Sequence, residues 1–211
     1  MALGLYFFHR WHVQGEQFPD MTRPQTWYNI KLCKSNPSDL TKSIAQAAHY
    51  KSLKKAFDEC KITTSAITHA GRKSGAKMAD LGDAGASDIR RAGRWTNDSM
   101  EGSYLTNLPR RMLRAMATFD ANGRTFWLAR DGVQPSETLL QKVFPWIDQW
   151  QARIDQGQGD KSVAADGFLQ MLRVLRKTFL QDSVPMMDRH PRLSIWNAPL
   201  FQDPEYLAFA R

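Results

Sequence analysis

Apolar residues recur every three or four positions along much of this chain, and that spacing places them on one face of an α-helix. The two clearest stripes lie in residues 139–150 and 168–179. Pro145 falls inside the first stripe and is expected to kink its helix. Because each apolar stripe must be buried against another element, the pattern predicts a mainly α-helical fold.

Weaker stripes and turn signals divide the rest of the chain. Residues 3–13 predict a buried helix, and Asp39 is the expected N-cap of a long helix that continues to Phe57. Further helices are predicted over residues 68–81, 88–94, 97–105 and 110–119. Four prolines between Pro185 and Pro204 predict an irregular tail, followed by a short last helix.

Composition narrows the class of protein. The chain has 211 residues, of which 42% are hydrophobic and 24% charged, so it can bury a core and is not a disordered chain. No apolar run approaches the roughly 20 residues of a membrane-spanning helix, and the N-terminus lacks the features of a signal peptide. Cys33 and Cys60 are too few for a disulfide framework. These features predict a soluble protein of a reducing, intracellular compartment.

The formal net charge of +8 is unevenly distributed along the chain. Residues 50–114 carry thirteen basic and seven acidic side chains, whereas residues 115–211 carry eleven of each. Such an asymmetry favours a middle segment that binds a polyanion. A basic helical face that is merely solvated explains the charge equally well.

A small set of residues in this basic segment has a spacing that indicates phosphate chemistry. His69 and Arg72 are three positions apart, Trp95 follows Arg72 by 23 residues, and Tyr104 follows Trp95 by nine. A guanidinium can hold two phosphate oxygens, a tyrosine hydroxyl can attack a phosphodiester, and histidine can carry the proton. The alternative is that Tyr104 is a core residue, His69 a structural histidine and Trp95 a packing residue.

These spacings match the second half of the tyrosine recombinase signature, which is His-x-x-Arg, then His or Trp, then the nucleophilic Tyr. The run THAGRKSGAKMADLG, with the later DIRRAGRWTNDSMEGSYLTNLPRRMLRAMATF, resembles the recombinase-derived domain of fungal Crypton elements. It is similar also to the related second domain of the Ndc-ten centromere-binding protein. The segments LGLYFFHRWHV, PQTWYNIKL and FPWIDQW extend the likeness over most of the first 150 residues.

The resemblance implies a tyrosine-recombinase-like helical catalytic core with C-terminal helices added. It places His69, Arg72, Trp95 and Tyr104 in the catalytic positions. It implies chemistry through a phosphotyrosyl intermediate, which requires no cofactor and no metal ion. Double-stranded DNA is the expected partner, with no membrane association, and the nucleus of a fungal-type cell is the expected location.

One departure from the family pattern bears on activity. Tyrosine recombinases use a second arginine upstream of His-x-x-Arg and usually a lysine on a hairpin, whereas Arg10 and Arg23 are the only arginines before His69 here. Neither has the expected context, so we expect the chain to be N-terminally truncated with respect to the family. Loss of one guanidinium typically costs several powers of ten in rate, which favours a DNA-binding protein without complete recombinase activity.

Two other functions remain open on the sequence alone. One is an active tyrosine recombinase that forms a 3'-phosphotyrosyl DNA intermediate with the missing residues supplied by another chain. The other is a helical protein-interaction module whose basic face is incidental.

The candidate DNA contacts are ten cationic side chains near the motif, because Lys and Arg around one phosphate site tend to share its DNA-facing surface. They are Lys54, Lys55, Lys73, Lys77, Arg90, Arg91, Arg94, Arg110, Arg111 and Arg114.

Two domains are predicted, separated by the linker-like run QGQGDKS at residues 156–162. Residues 1–155 would form the recombinase-like DNA-binding domain, and residues 163–211 a C-terminal helical extension. Because that extension is apolar along one helix and belongs to the neutral half of the chain, it is a candidate surface for homo-oligomerisation or for docking a partner protein.

Overall fold

The computed structural model describes residues 2–95, 109–123, 125, 127–160 and 162–211. Within these ranges the protein is mainly α-helical, which confirms the predicted class, and its strands form a single two-stranded sheet. The chain divides into two compact units. We call Met1–Ile44 with Leu128–Arg211 the terminal unit, and Ala45–Trp127 the central unit.

The elements are numbered in chain order over the described residues. The strands are β1 (Lys34–Asn36) and β2 (Asp39–Ser43). The helices are α1 (Ala2–Phe8), α2 (Pro24–Trp27), α3 (Gln46–Glu59), α4 (Ala70–Leu81), α5 (Ala86–Gly93), α6 (Arg110–Met116), α7 (Glu137–Lys142), α8 (Trp146–Asp155), α9 (Val163–Arg189) and α10 (Pro204–Phe209). Short turns of other helix types occupy His9–Val13, Ile67–His69, Ala129–Gly132, Ser194–Asn197 and Pro199–Gln202.

The core of the terminal unit is built from aromatic side chains. In and after α1, Phe7 stacks on Trp11 with 4.8 Å between ring centroids, and Phe8 stacks on Phe179 at 4.7 Å. Phe144 packs edge-on against Trp11 at 5.2 Å. Full burial of one such ring contributes roughly 1.5–3 kcal/mol, so this unit has a core of its own.

The longest helix, α9, runs through this core. Leu169, Leu172 and Phe179 are buried on one face, as the stripe over residues 168–179 predicts. The Oγ atom of Ser162 accepts a hydrogen bond from the backbone N–H of Ala165 at 3.2 Å, which caps the start of the helix. The apolar face of α9 is thus buried within the terminal unit.

The helix continues through Pro185, so the irregular tail predicted from this position begins after Arg189 instead. Pro185 is exposed, so its ring faces solvent and displaces no buried side chain. Two residues earlier, the Ser183 hydroxyl lies 2.8 Å from the Tyr206 hydroxyl of α10 inside the core. Packing on the buried side of α9 keeps the helix continuous at Pro185, where the proline alone would favour the end of the helix.

The junction of α7 and α8 is a complete break, whereas a kink at Pro145 was the prediction. Phe144 in this junction has a φ of 56°, in the left-handed region that bulky residues rarely adopt. Its backbone N–H donates a hydrogen bond to Nε2 of His12 at 3.3 Å. Burial lowers the pKa of His12 to about 4, so the imidazole is a neutral acceptor at physiological pH.

The helix predicted from Asp39 begins at Gln46 instead, and the residues before it form a β-hairpin. In the hairpin Lys34 pairs with Ser43 and Asn36 with Asp39. The Asp39 carboxylate accepts hydrogen bonds from the backbone N–H groups of Thr41 and Lys42 at 3.0 and 3.1 Å. Asp39 therefore satisfies local backbone donors within β2, a role that competes with helix capping.

The central unit packs α4, α5 and α6 against one another, and α3 packs against the turn that precedes α4. Gly82, just after α4, lies close to α6, because a Cβ at this position would come within 2.9 Å of the Ala115 Cβ. Among the described residues of this unit, the buried apolar residues are Ala79, Ala84, Pro109 and Ala121. The part of the core that they form is thin.

Three predictions concern boundaries and spans. The domain boundary predicted at residues 156–162 falls inside the terminal unit, where α8 and α9 pack together. The division into a DNA-binding domain of residues 1–155 and an extension of residues 163–211 stays a prediction. The helix predicted over residues 97–105 lies outside the described ranges. No helix in those ranges is long and apolar enough to cross a membrane.

Candidate nucleic-acid interface

The arginine of the predicted His-x-x-Arg motif contacts the predicted tryptophan. Arg72 lies in the first turn of α4, and its guanidinium carbon is 4.7 Å from the centroid of the Trp95 ring, within cation–π range. The same guanidinium donates a hydrogen bond from Nη2 to the carbonyl oxygen of Gly93. Two of the four predicted catalytic positions therefore lie together in the central unit.

The end of α5 brings Trp95 back over Arg72. Arg94 has a φ of 51° and a ψ of 43°, a left-handed conformation that ends the helix. A Cβ on Gly93 would come within 2.6 Å of the Trp95 ring, closer than a side chain tolerates. Glycine at position 93 is thus required for the ring to lie against the backbone.

His69 lies just before α4. It ends the turn Ile67–His69 and serves as the N-cap residue of α4, so the motif spans the start of the helix instead of one helical face. The side chains of His69 and Arg72 are both exposed. Tyr104 lies outside the described residues, and its place in the predicted set stays a prediction.

A concave surface of about 510 Å³ adjoins the Arg72–Trp95 pair. Small residues of α4 line one side of it, and methionines of α6 line another. These lining residues are Gly71, Gly75, Ala76, Met112 and Met116. The absence of large side chains along this face of α4 leaves room for a ligand beside the guanidinium.

Eight of the ten predicted DNA contacts are exposed, and five of these eight form neither an ion pair nor a side-chain hydrogen bond with another described residue. Lys73 and Lys77 lie one turn apart on α4, Arg90 near the end of α5, Arg94 directly after α5, and Arg110 at the start of α6. The three packed helices therefore each carry cations that are available to phosphates.

Two of the other five predicted contacts form ion pairs along α3. The ammonium of Lys54 lies 2.9 Å from the Asp58 carboxylate, and that of Lys55 lies 3.8 Å from Glu59. Both pairs are exposed, and such pairs contribute little to stability. Their contact with DNA stays a prediction.

The remaining three predicted contacts stabilise the central unit itself. Arg91 pairs with the buried Asp88, leaving 18% of its own side chain exposed. Arg111 donates to the Asp83 carbonyl at 2.9 Å, and Arg114 donates to the carbonyl oxygens of Asp120 and Thr125 at 2.7 and 2.8 Å. Sequence reasoning missed these roles, although the three-residue spacing of Asp88 and Arg91 was a readable signal.

The charge follows the division into units. The central unit carries fourteen basic and eight acidic residues, and the terminal unit carries fifteen and thirteen. Among the described residues, no group of three or more His, Cys, Asp or Glu side chains is arranged to hold a metal ion. The site is thus a cationic surface, with aromatic and glycine residues that position one arginine.

Comparison with known proteins identifies the family. A family model described as "Centromere DNA-binding protein complex CBF3 subunit, domain 2" matches residues 1–207, which include both units. No curated protein and no solved structure matched the chain. The chain therefore belongs to the domain 2 family of the centromere DNA-binding protein complex CBF3 subunit.

Proposed function

We propose that this protein binds double-stranded DNA in the nucleus, as a subunit of a centromere-type DNA-binding complex, and that the central unit supplies the DNA-binding surface. The observation that carries the proposal is the set of exposed cations without carboxylate partners on three packed helices. Membership of the family adds independent support, because its description names a centromere DNA-binding complex.

The geometry favours recognition of the DNA backbone. Exposed Lys and Arg neutralise phosphates and release counterions, which gives a strong salt dependence with little regard to base sequence. Among the described residues Arg72 donates one hydrogen bond, to Gly93, whereas a guanidinium has five N–H donors. The stacked guanidinium is held in one orientation, so less conformational entropy is lost when it binds a phosphate.

We infer further that the domain descends from a Crypton-type tyrosine recombinase and does not recombine DNA by itself. The spacing of His69, Arg72, Trp95 and Tyr104 supports the ancestry. Arg10, one of two arginines before the motif, is buried against Glu16 and donates to two backbone carbonyls, so it is not available as a phosphate ligand. A covalent adduct between Tyr104 and a nicked duplex, formed by the isolated chain, would contradict the second part of this inference.

Fluorescence anisotropy with a labelled duplex over a salt series tests the DNA-binding proposal. The test variant replaces Lys73, Lys77, Arg90 and Arg110 with Gln; Arg94 is kept because it holds the left-handed end of α5. The slope of log affinity against log salt should fall by about 3–4, since each phosphate contact contributes about 0.9.

A matched control removes four exposed cations from the terminal unit, by replacing Lys42, Arg189, Arg192 and Arg211 with Gln. This variant carries the same net charge as the test variant and should retain nearly all of the slope. Equal losses in the two variants would mean that net charge alone governs binding, and the central-unit proposal would be wrong.

A further inference from the structure

The terminal unit contains an apolar pocket that the proposed DNA-binding surface does not use. Its volume is about 290 Å³. Its walls include Phe7, Trp11 and Met21, which are buried, and Phe168 of α9. A pocket of this size and character accepts one large apolar side chain.

The rim of the pocket is apolar as well. Tyr28 is 75% exposed and Leu32 is 52% exposed, and both line the pocket. The indole N–H of Trp27, another lining residue, is buried and has no hydrogen-bond acceptor among the described residues. An exposed apolar rim around an apolar pocket is typical of a protein-binding site, because a small molecule inside the pocket would leave the rim uncovered.

One wall of the pocket contains part of a buried cluster that has a surplus of positive charge. Arg10 and Glu16 line the pocket, and the Glu16 carboxylate accepts hydrogen bonds from Arg10 and from Lys34, which does not line it. All three side chains are at most 6% exposed. Burial alone would raise the pKa of Glu16, but the hydrogen bonds from Arg10 and Lys34 keep it below its ordinary value, so Glu16 is ionised. Two cations around one anion leave a net charge of about +1 in this cluster, of which Arg10 and Glu16 reach the pocket.

A further cation lies at the mouth of the pocket. Lys31 lines the pocket, is exposed, and forms no ion pair with any other described residue. An acidic group placed beside a bound apolar side chain would complement both this lysine and the charged cluster.

We propose that this pocket binds an acidic segment of a partner protein, with one aromatic or aliphatic side chain of that segment in the pocket and a carboxylate beside Lys31. The apolar walls and rim favour a peptide with an apolar anchor side chain. The nearby cations favour a peptide that is acidic. This site is independent of the DNA-binding surface, so either proposal can fail without the other.

The probe is a panel of peptides of about twelve residues, each with one central Trp, Phe or Leu flanked by Glu, added to the full chain. Binding is followed by NMR through the 13C-methyl signal of Met21, a pocket residue. At least one peptide should bind about ten-fold more tightly than its matched peptides, in which Ala replaces the anchor or Gln replaces Glu. A panel with no member that binds, or binding that is indifferent to both replacements, would overturn the proposal.

Substitutions in and near the pocket test whether the peptide binds there. Ala164 lines the pocket from an exposed position of α9, so Ala164→Leu should obstruct the pocket without disturbing the core and should weaken peptide binding about ten-fold. Val174→Leu, at an exposed position of the same helix outside the pocket, is the matched control. Lys31→Gln should reduce the preference for Glu over Gln peptides and leave the preference for the apolar anchor.

Three outcomes would overturn the assignment. One is unchanged peptide affinity in both Ala164→Leu and Lys31→Gln. Another is binding of N-acetyl-tryptophan as tight as that of the best peptide, which would make the pocket a small-molecule site. The third is displacement of the peptide from Met21 by duplex DNA, which would assign the pocket to DNA.

Discussion

The two units differ in the apolar residues that they bury and in their net charge. The terminal unit buries stacked and edge-on aromatic rings around α9 and has nearly balanced charge. The central unit buries three alanines and Pro109 among its described residues, and over its full sequence it accounts for +6 of the net charge of +8. Apolar burial is the main source of folding stability, whereas clustered like charges oppose it. The comparison indicates a terminal unit that is stabilised by apolar burial and a central unit that has a surplus of positive charge.

Polar contacts accompany the few buried apolar residues among the described residues of the central unit. The Asp88–Arg91 ion pair lies within α5, Arg111 of α6 bonds the Asp83 carbonyl between α4 and α5, and Arg114 bonds the Asp120 carbonyl after α6. Arginines in this unit therefore divide into those that bond other groups of the unit and those that have no such partner among the described residues. Neutralising the second group tests binding, and neutralising the first tests folding.

The largest expected effect separates the two cores. Phe179→Ala removes a fully buried ring from the terminal unit and should lower the free energy of unfolding by about 3–5 kcal/mol. Leu113→Ala in α6 truncates a side chain that is 49% exposed and should cost less than about 1 kcal/mol. Urea denaturation measures both. Equal losses would mean that the central unit depends on its apolar packing as much as the terminal unit does.

A smaller effect concerns pH and the terminal unit alone. The pKa of folded His12 is about 4 against an ordinary value of 6.5, so between these values the unfolded chain binds more protons than the folded one. The stability due to neutral His12 is complete above pH 6.5 and is lost as the pH falls toward 4, by up to about 3 kcal/mol. Denaturation across this window measures the slope.

The matched variants for this prediction are His12→Gln and His190→Gln. Gln at position 12 keeps a hydrogen-bond acceptor but does not titrate, so the slope should flatten. His190 is exposed, and its replacement should leave the slope unchanged. If His12→Gln retains the wild-type slope, another group is responsible for it.

The smallest expected effect tests how the central unit positions Arg72. Gly93→Ala forces a Cβ into the Trp95 ring and should destabilise the unit by about 1–3 kcal/mol and weaken duplex binding. Gly71→Ala lies in α4, where an added Cβ meets nothing within 4 Å, and should stabilise by about 0.5–1 kcal/mol. Thermal unfolding and anisotropy measure the two effects. Similar behaviour of the two alanine variants would show that the Trp95 contact does not matter.

Much of the helical framework could be predicted because apolar spacing records which face is buried. The stripes over residues 139–150 and 168–179 correspond to buried faces of α7, α8 and α9. The break at Phe144 could not be predicted, since it depends on the contact of its N–H with His12, 132 residues away in the chain. The hairpin was missed because Asp39 serves helix caps and strand turns equally well.

Part of the candidate site could also be predicted from the spacing of residues in the sequence. The spacing of Arg72 and Trp95 pointed to a shared site, and the two side chains are in contact. Which cations are engaged within the protein depends on distant carbonyl groups, such as that of Asp83 for Arg111. No local pattern in the sequence records those partners, and only the pairing of Asp88 with Arg91 has a short-range signature.

Hydrogen–deuterium exchange of the full chain, with and without a mixed-sequence duplex, tests the central claim most directly. We expect amide exchange in α4, α5 and α6 to slow on DNA binding and this protection to be lost as salt is raised, whereas exchange in α9 and the hairpin should not change. Protection confined to the terminal unit would contradict the assignment of the DNA-binding surface to the central unit.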